Sequence, residues 1–468
     1  MSTNNQHNMP SLPPLSTEGG RSTANRQTVI FGAFVAALGG LLFGFDTAVI
    51  SGTTEALQKV FDLDSFGLGF TVAIALIGTI AGSLIVGKPA DVFGRKTVLF
   101  VLAIGFLVSS LGCGLARTWL EFLGSRFLGG LAIGGASVVA PMYIAEISPP
   151  HLRGRLVMVN QLNIVVGILL SYVSNYLVAS LFDFEVAWRW MLGLLAVPSA
   201  AFFLLIFKIP ESPRNLIRRG RSAEARKVLE KLGEQDVDGK LADIEASLVD
   251  QPAHRQERLL QAAYRRPVFL TCALAVFNQL TGINAILYYA PKIFGMAGAS
   301  HDSSLLQSIS IGGTLLLFTI VAMFVIDRFG RRVLLLVGSV GMTVCLATVA
   351  CAFSNGADRY GPLVLAAMIG SIAFFAVSQG AVMFVFISEI FPNAVRATGQ
   401  ALGTFIHWSM AAIVSWTFPV MADFSVAGMF GFFALMMVLQ WFFVWKIMPE
   451  TKGISLENLE KQLVRASR

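Results

Sequence analysis

Charge is scarce in this chain. Only 13% of its 468 residues are Asp, Glu, Lys or Arg, whereas a soluble domain carries about 25%. Most of the surface is therefore not built for water. Cysteine is scarce too: Cys113, Cys272, Cys345 and Cys351 are the four present, and no two form a Cys-x-x-Cys pair, so no zinc or redox motif is readable. No His-x-x-Glu-His, Gly-x-Ser-x-Gly or Gly-x-x-x-x-Gly-Lys-Ser/Thr segment occurs, which argues against a metallohydrolase, a serine hydrolase and a pump driven by ATP. No cofactor, no metal and no enzymatic activity are expected. Residues 1–27 lack an apolar core, so no cleaved signal peptide is expected. Their Ser, Thr, Asn and Pro content reads as a disordered cytoplasmic tail.

What the chain has is apolar length. It is 55% hydrophobic and holds 37 Phe, and its mean hydropathy is +0.69. Stretches of about 20 residues, enough to cross a bilayer, fall near 28–50, 68–88, 97–116, 119–145, 156–178 and 188–208. A second set falls near 267–290, 304–326, 333–354, 362–388, 397–420 and 425–447. The expected organisation is a six-helix bundle at 28–208, a polar linker at 209–266, a second six-helix bundle at 267–447 and a short tail at 448–468. Within the linker, Ser222 to Leu232 carries apolar residues at helical spacing, so short amphipathic helices are expected there.

Lys and Arg set the orientation. Lys88, Arg95, Lys96, Arg153, Arg155, Arg328, Arg331, Arg332 and Arg396 lie in one set of loops with the basic linker. Little beyond Lys59, Arg117, Lys292 and Arg359 lies in the other. The first set and both termini are expected in the cytoplasm, with the chain in a bacterial cytoplasmic membrane. The formal charge of +7 then reports topology and contact with anionic lipid; nucleic acid is not an expected partner.

Three signatures of the basic loops occur twice. Asp91-Val-Phe-Gly94-Arg95-Lys96 returns as Asp327-Arg-Phe-Gly330-Arg331-Arg332. Tyr143-Ile-Ala-Glu146, with Arg153 behind it, returns as Phe386-Ile-Ser-Glu389 with Arg396. Pro210-Glu211-Ser-Pro-Arg214 has a looser echo in Pro449-Glu450-Thr-Lys452-Gly453. A half-length unit has been duplicated in the same orientation, and the fold must bury the seam between the copies. In a membrane chain this layout is that of an alternating-access transporter with its substrate site at the seam, near mid-membrane.

Two charges lie inside spans. Asp46 is in the first and Arg126 in the fourth, and a charge there is costly unless paired or facing a cavity. Both fall six or seven residues from their span centres on the non-cytoplasmic side, about 10 Å above the midplane. An Asp46–Arg126 pair is geometrically reasonable and would hold the acid ionised until a proton or a conformational change breaks it; a purely structural ion pair is the alternative. Intramembrane amides concentrate on the fifth span, at Gln161 and Asn163, and on the seventh, at Asn278, Gln279 and Asn284. Amides both donate and accept, as sugar hydroxyls do, although they also bond helix to helix. Gly282 would permit a broken helix that turns Asn284 inward. His407 is the only histidine in a span; it suits either a substrate hydroxyl or a backbone carbonyl. Trp408 could stack on a sugar ring or serve packing alone.

From about residue 28 to 453 the chain resembles the sugar-porter branch of the major facilitator superfamily. The Asp-x-x-Gly-Arg-Lys/Arg loops carry the likeness, with Pro-Glu-Ser-Pro-Arg at 210–214, Asn278-Gln-Leu-Thr-Gly-Ile-Asn284, Tyr288-Tyr289 and Pro-Glu-Thr-Lys-Gly at 449–453. The resemblance implies an all-α polytopic fold of 12 transmembrane helices in two six-helix bundles. It assigns Gln161, Gln279 and Asn284 to sugar hydroxyls, places a Trp at Trp408, makes Tyr288 and Tyr289 an outer gate, and gives proton-coupled members an Asp and an Arg at Asp46 and Arg126. Asp91, Arg95, Glu146, Arg153, Glu211, Arg214, Asp327, Arg331, Glu389 and Arg396 lie at cytoplasmic helix ends, too far from mid-membrane to touch a sugar, and are expected to act as a cytoplasmic gate by pairing across the halves when the site opens outward. Loop anchoring is the plainer reading of these charges.

Four positions depart from the family's commonest pattern. Phe384 stands where Trp is common, His407 where Gln or Asn is frequent, Asn278 for the first Gln of a pair, and Leu315 where some members carry Asn. The sugar therefore does not follow by copying. The expectation is import of a monosaccharide (hexose, pentose or similar polyol) with a proton, by a monomer in the lipid bilayer. A facilitative uniporter and an inositol or polyol porter are alternatives; a non-transporting sugar receptor is a distant one, since about 15 residues follow Gly453 where a long signalling tail is expected.

Overall fold

Lipid offers no hydrogen bonds to a backbone, so apolar stretches of this length close their own as helices. The computed structural model describes residues 23–249, 259, 261–392 and 395–454; the rest of the expected tails and of the linker lies outside the described residues. We number the membrane helices α1 (Thr23–Val49), α2 (Ser65–Ile85), α3 (Arg95–Leu115), α4 (Trp119–Ile147), α5 (Pro150–Leu181) and α6, the last in two pieces (Phe184–Gly193 and Ala196–Ile206). The second set is α7 (Arg265–Gln279 and Ile283–Met296), α8 (His301–Phe329), α9 (Arg331–Ser354) and α10 (Gly361–Val377 and Gln379–Ile390). A continuous helix, Arg396–Lys446, supplies the final pair: it bends at Ser425, where the backbone is extended, into α11 (396–424) and α12 (426–446). The helix α1 starts at Thr23, inside the stretch read from sequence as tail.

Helix ends carry readable caps. Asp64 Oδ1 accepts from Gly67 N at 2.7 Å ahead of α2, and Thr118 with Glu121 forms a reciprocal capping box at the start of α4. Inside each half, small residues let backbones approach. The closest case is α1 against α5, where a Cβ on Gly44 would lie 1.8 Å from Ile164 O.

The two halves meet along α2–α11, α5–α8 and α1–α7. Most identifiable contacts are at the end opposite the basic loops, with one ring pair, Phe43–Trp408, nearer mid-membrane. Trp416 of α11 packs against Phe66 and Phe70 of α2. Tyr172 Oη donates to Leu287 O at 2.7 Å, and Lys292 Nζ donates to Gln58 Oε1 at 3.4 Å. At the basic end no hydrogen bond, ion pair or ring contact joins the halves among the described residues. There the second half keeps an apolar cluster of its own, around Leu270, Leu335, Phe386 and Val444. Among the described residues the seam is thus held together at the far end and carries no such contact at the basic end. The linker adds three short helices, Pro213–Arg218, Ser222–Leu232 and Val237–Val249, which share their own apolar cluster of Leu216, Ile217, Ala225, Leu229 and Leu241.

Candidate functional site

The seventh helix breaks where the sequence permits it. Gly282 sits at φ +78°, a left-handed conformation that glycine adopts without cost. Thr281 bridges the gap, donating to Asn278 O at 2.7 Å and accepting from Ile283 N at 3.2 Å. The break turns Asn284 back toward the first segment, so Asn284 Nδ2 donates to Gln279 Oε1 at 2.6 Å. Gln279 Nε2 donates to Asn278 Oδ1 at 3.1 Å and lies 3.1 Å from Nδ1 of His407 on α11. Asn278 Nδ2 reaches Gln379 of α10, at 3.3 Å to its carbonyl and 3.4 Å to Oε1. A connected run of amides thus joins α7, α10 and α11 at the seam.

Aromatic rings flank it. His407 lies 5.2 Å from Phe384 and 4.9 Å from Trp408. Trp408 lies 5.5 Å from Phe43 of α1, so this wall spans both halves. Phe384 is 47% exposed, and Gln161 is exposed with no hydrogen bond among the described residues. Asn163 bonds helix to helix, donating to Ala37 O at 3.1 Å, and Leu315 is buried.

The two intramembrane charges meet. Arg126 Nη1 donates to Asp46 Oδ1 at 2.7 Å, with Asp46 3% and Arg126 1% exposed. Among the described residues Asp46 Oδ2 and Arg126 Nε have no hydrogen-bond partner. Tyr288 is buried and within electrostatic reach of both charges, which puts the pair next to the second segment of α7. Tyr289 instead faces its own half: Oη donates to Ser415 O at 2.9 Å and the ring stacks 4.6 Å from Phe418.

The repeated charges form one nest in each half. Arg95 Nη2 reaches Glu146 at 2.9 Å and Asp91 at 3.1 Å; Arg331 reaches Glu389 at 2.9 Å and Asp327 at 3.3 Å. The hydroxyl of Ser212 donates to Glu146, and that of Thr451 donates to Glu389 at 2.6 Å. Each nest is tied to a helix N-terminus, where orphan N–H groups attract a carboxylate. Glu211 Oε1 accepts from Arg95 N at 3.0 Å and Lys96 N at 3.1 Å. Glu450 accepts from Arg331 N and Arg332 N, each at 3.0 Å. Burial opposes ionisation of Glu450, but four backbone N–H donors outweigh it and hold its carboxyl below the usual carboxylate range. The loosest of the three echoes thus has the same mechanics in both copies as well.

Among the described residues these charges make none of the ion pairs across the halves that are expected of them when the site opens outward. Among the described residues Arg153 and Arg214 make no ion pair, and Arg396 Nε donates to Phe391 O at 3.2 Å. The sequence reading passed over Gln379, an amide in a predicted span and so visible by the same criterion as Gln279. It also passed over Arg218, which pairs with Asp91. Its signal was faint, one Arg in a basic run.

Comparison with known proteins decides the family. The family model described as Sugar (and other) transporter matches residues 32–463. The chain belongs to this family. It is a multi-pass membrane transporter of the sugar-porter type, with the major facilitator fold. It is 39% identical over 464 residues to the D-xylose-proton symporter of Escherichia coli (strain K12), covering 91% of this chain and 94% of that one. Among solved structures it is similar to the inward-open conformation of the xylose transporter XylE from E. coli, with a TM-score of 0.82 and 36% identity over 92% of this chain and 99% of that. Similarity to the proton:xylose symporter XylE bound to 6-bromo-6-deoxy-D-glucose has a TM-score of 0.75, with 38% identity over 94% of this chain and 100% of that.

Proposed function

We propose that this transporter imports a monosaccharide, a pentose or hexose, together with a proton by alternating access. The observation that carries the reading is the buried Asp46–Arg126 pair beside Tyr288 and the broken α7, in a chain whose relative is named a D-xylose-proton symporter. A buried acid whose second oxygen has no partner is a ready place for a proton. Protonation at Oδ2 cancels the charge of Asp46 and strands the Arg126 guanidinium, a buried unpaired cation that costs several kcal/mol. The pair therefore cannot take up a proton and stay as it is; helices α1 and α4 must shift against their neighbours.

The sugar binds at the seam in the proposed scheme. Gln161 from the first half faces the amide run Asn278, Gln279 and Asn284, with His407, Trp408, Phe384 and Tyr288 completing the walls. Tyr289 is the better placed of the two tyrosines to stiffen α7, since it is anchored to α11. Sugar and proton together favour rocking of one half on the other, which opens the contacts around Trp416, Tyr172 and Lys292 at one end and closes the other. The nests centred on Arg95 and Arg331, with Glu211, Glu450 and the basic residues Arg153, Arg214 and Arg396, act as the gate at the basic end. By the excess of Arg and Lys there, that end faces the cytoplasm and both termini lie inside, in a bacterial inner membrane. One chain contains both halves of the site, which supports a monomer.

The test is uptake of labelled D-xylose, D-glucose, L-arabinose and myo-inositol into cells expressing the chain, with and without a protonophore. Accumulation of one pentose or hexose that collapses with protonophore supports the proposal. Equilibration indifferent to the protonophore would make the chain a uniporter, with Asp46–Arg126 a structural pair.

A further inference from the structure

The Asp46–Arg126 pair has a second side. Across the seam its neighbour is Tyr288; within its own half it meets α3. Cys113 of α3 is buried and within electrostatic reach of both charges. Among the described residues, Cys113 and Tyr288 are the titratable groups besides Asp46 that act on Arg126.

Ser109 lies one turn before Cys113 on α3 and beside its thiol. It is 2% exposed, and its hydroxyl donates at 2.7 Å to Ser125 O, the carbonyl just before Arg126 on α4. The oxygen keeps lone pairs that can still accept. The missing side chain of Gly129 leaves a gap between this hydroxyl and the carboxylate: a Cβ there would lie 2.4 Å from Ser109 Oγ and 4.0 Å from Asp46 Oδ1. Gly129 follows Arg126 by three residues, so the two share a face of α4. The gap is therefore within the sweep of the guanidinium, whose Nε has no partner among the described residues.

A cation that loses its carboxylate inside a membrane needs other acceptors. Tyr288 belongs to the other half and, in the alternating-access scheme, departs with it when the far end opens. Ser109 and Cys113 stay with Arg126 throughout.

We propose that Ser109, with Cys113 beside it and the gap at Gly129 in front, is a second seat for the Arg126 guanidinium, filled when Asp46 takes up a proton. This rests on the reading of Asp46 as the proton carrier. A proton from solvent enters at Asp46 Oδ2, the Arg126–Asp46 hydrogen bond breaks, and Arg126 keeps its own protons and its charge. Ser109 is thus a positioning residue that acts through Arg126. Its hydroxyl stabilises the protonated state, so it sets how acid the medium must be before Asp46 is loaded.

The test needs no sugar. Infrared difference spectra of the purified protein in detergent, recorded over a pH series, follow the protonated acid by the carbonyl band that Asp46→Asn lacks. Ser109→Ala should move its midpoint about one pH unit toward acid, a tenfold loss of proton affinity, the size of one hydrogen bond to a charged group. Ser109→Thr keeps the hydroxyl and should bring proton affinity back to within about threefold of wild type. Cys113→Ser exchanges a weak acceptor for a better one and should move the midpoint the other way, a readout that remains if Ser109→Ala does not fold. Midpoints that ignore both Ser109→Ala and Cys113→Ser, with only Tm lowered, would reduce Ser109 to a tie between α3 and α4 and overturn the seat alone. A shift of Ser109→Ala toward alkali would overturn it as well, since the hydroxyl would then favour the ion pair. If no Asp46-dependent band appears at any pH, the proton reading fails and the seat with it.

Discussion

Arg126 donates to one carboxylate oxygen of Asp46 at 2.7 Å and leaves the other without a partner. The two residues thus form an ion pair that is only half satisfied in a site shut off from water. Asp46→Asn keeps an oxygen for Arg126 to bond while removing the protonatable group. Accumulation of sugar against a gradient should be lost and sugar–sugar exchange retained, checked by uptake and counterflow in proteoliposomes. Arg126→Ala, by contrast, strands a buried acid and should cost about 3–5 kcal/mol if the acid stays ionised, seen as reduced yield and a lowered Tm.

Closure of the far end depends on two glycines that touch the opposite half. A Cβ on Gly69 would lie 2.0 Å from Trp416 O, and one on Gly312 would lie 2.9 Å from the Tyr172 ring. Gly69→Val and Gly312→Val should hold the far end open. A cysteine placed at Gln58, in a background lacking the four native cysteines, should then label faster with a membrane-impermeant maleimide.

Glu450 predicts a pH dependence of stability at the basic end. Its carboxyl is held below the usual range, so it contributes stability above its unfolded-state value and loses it as pH falls through the lower folded one. Glu450→Gln should therefore lower Tm at neutral pH, and the gap to wild type should close on acidification. Gly330→Ala should destabilise the same nest: its backbone sits at φ +89° and its Cβ would lie 2.8 Å from Glu450 Oε2. The backbone part of that cost is about 1–3 kcal/mol, since φ +89° with ψ 163° is a region open essentially to glycine alone.

Tyr289 anchors α7 to α11 through one hydrogen bond and one ring stack. Tyr289→Phe removes only the bond and should cost about 1 kcal/mol; Tyr289→Ala removes both. A stepwise fall of Tm through the two variants would confirm the anchor, and Phe and Ala behaving alike would exclude it.

Much of this was legible because the bilayer restricts the choices. Asp46 and Arg126 could be matched in depth from sequence, since helix rise and span centres set the level at which each side chain lies. The break at Gly282 was readable because a glycine stood between two amides. A division near Ser425 was expected between the spans at 397–420 and 425–447; that the helix runs on through it without a loop was not. Gln379 was missed although an amide in a span was already the criterion; Arg218 lay among other arginines, and only the position of the short helix Pro213–Arg218 gives it Asp91. Arg95 pairs with Glu146 and Arg331 with Glu389 within each half in this arrangement, where pairing across the halves was expected for the outward-open one. A sequence shared by both conformations does not encode one of them.

The most direct measurement is proton movement itself. Proteoliposomes holding the purified protein and an internal pH dye, with no imposed gradient, receive the sugar that cells accumulate. The account predicts sugar-induced acidification of the lumen in the wild type and none with Asp46→Asn, even though labelled sugar still exchanges. Sugar entry in the wild type without any acidification would contradict proton coupling through Asp46.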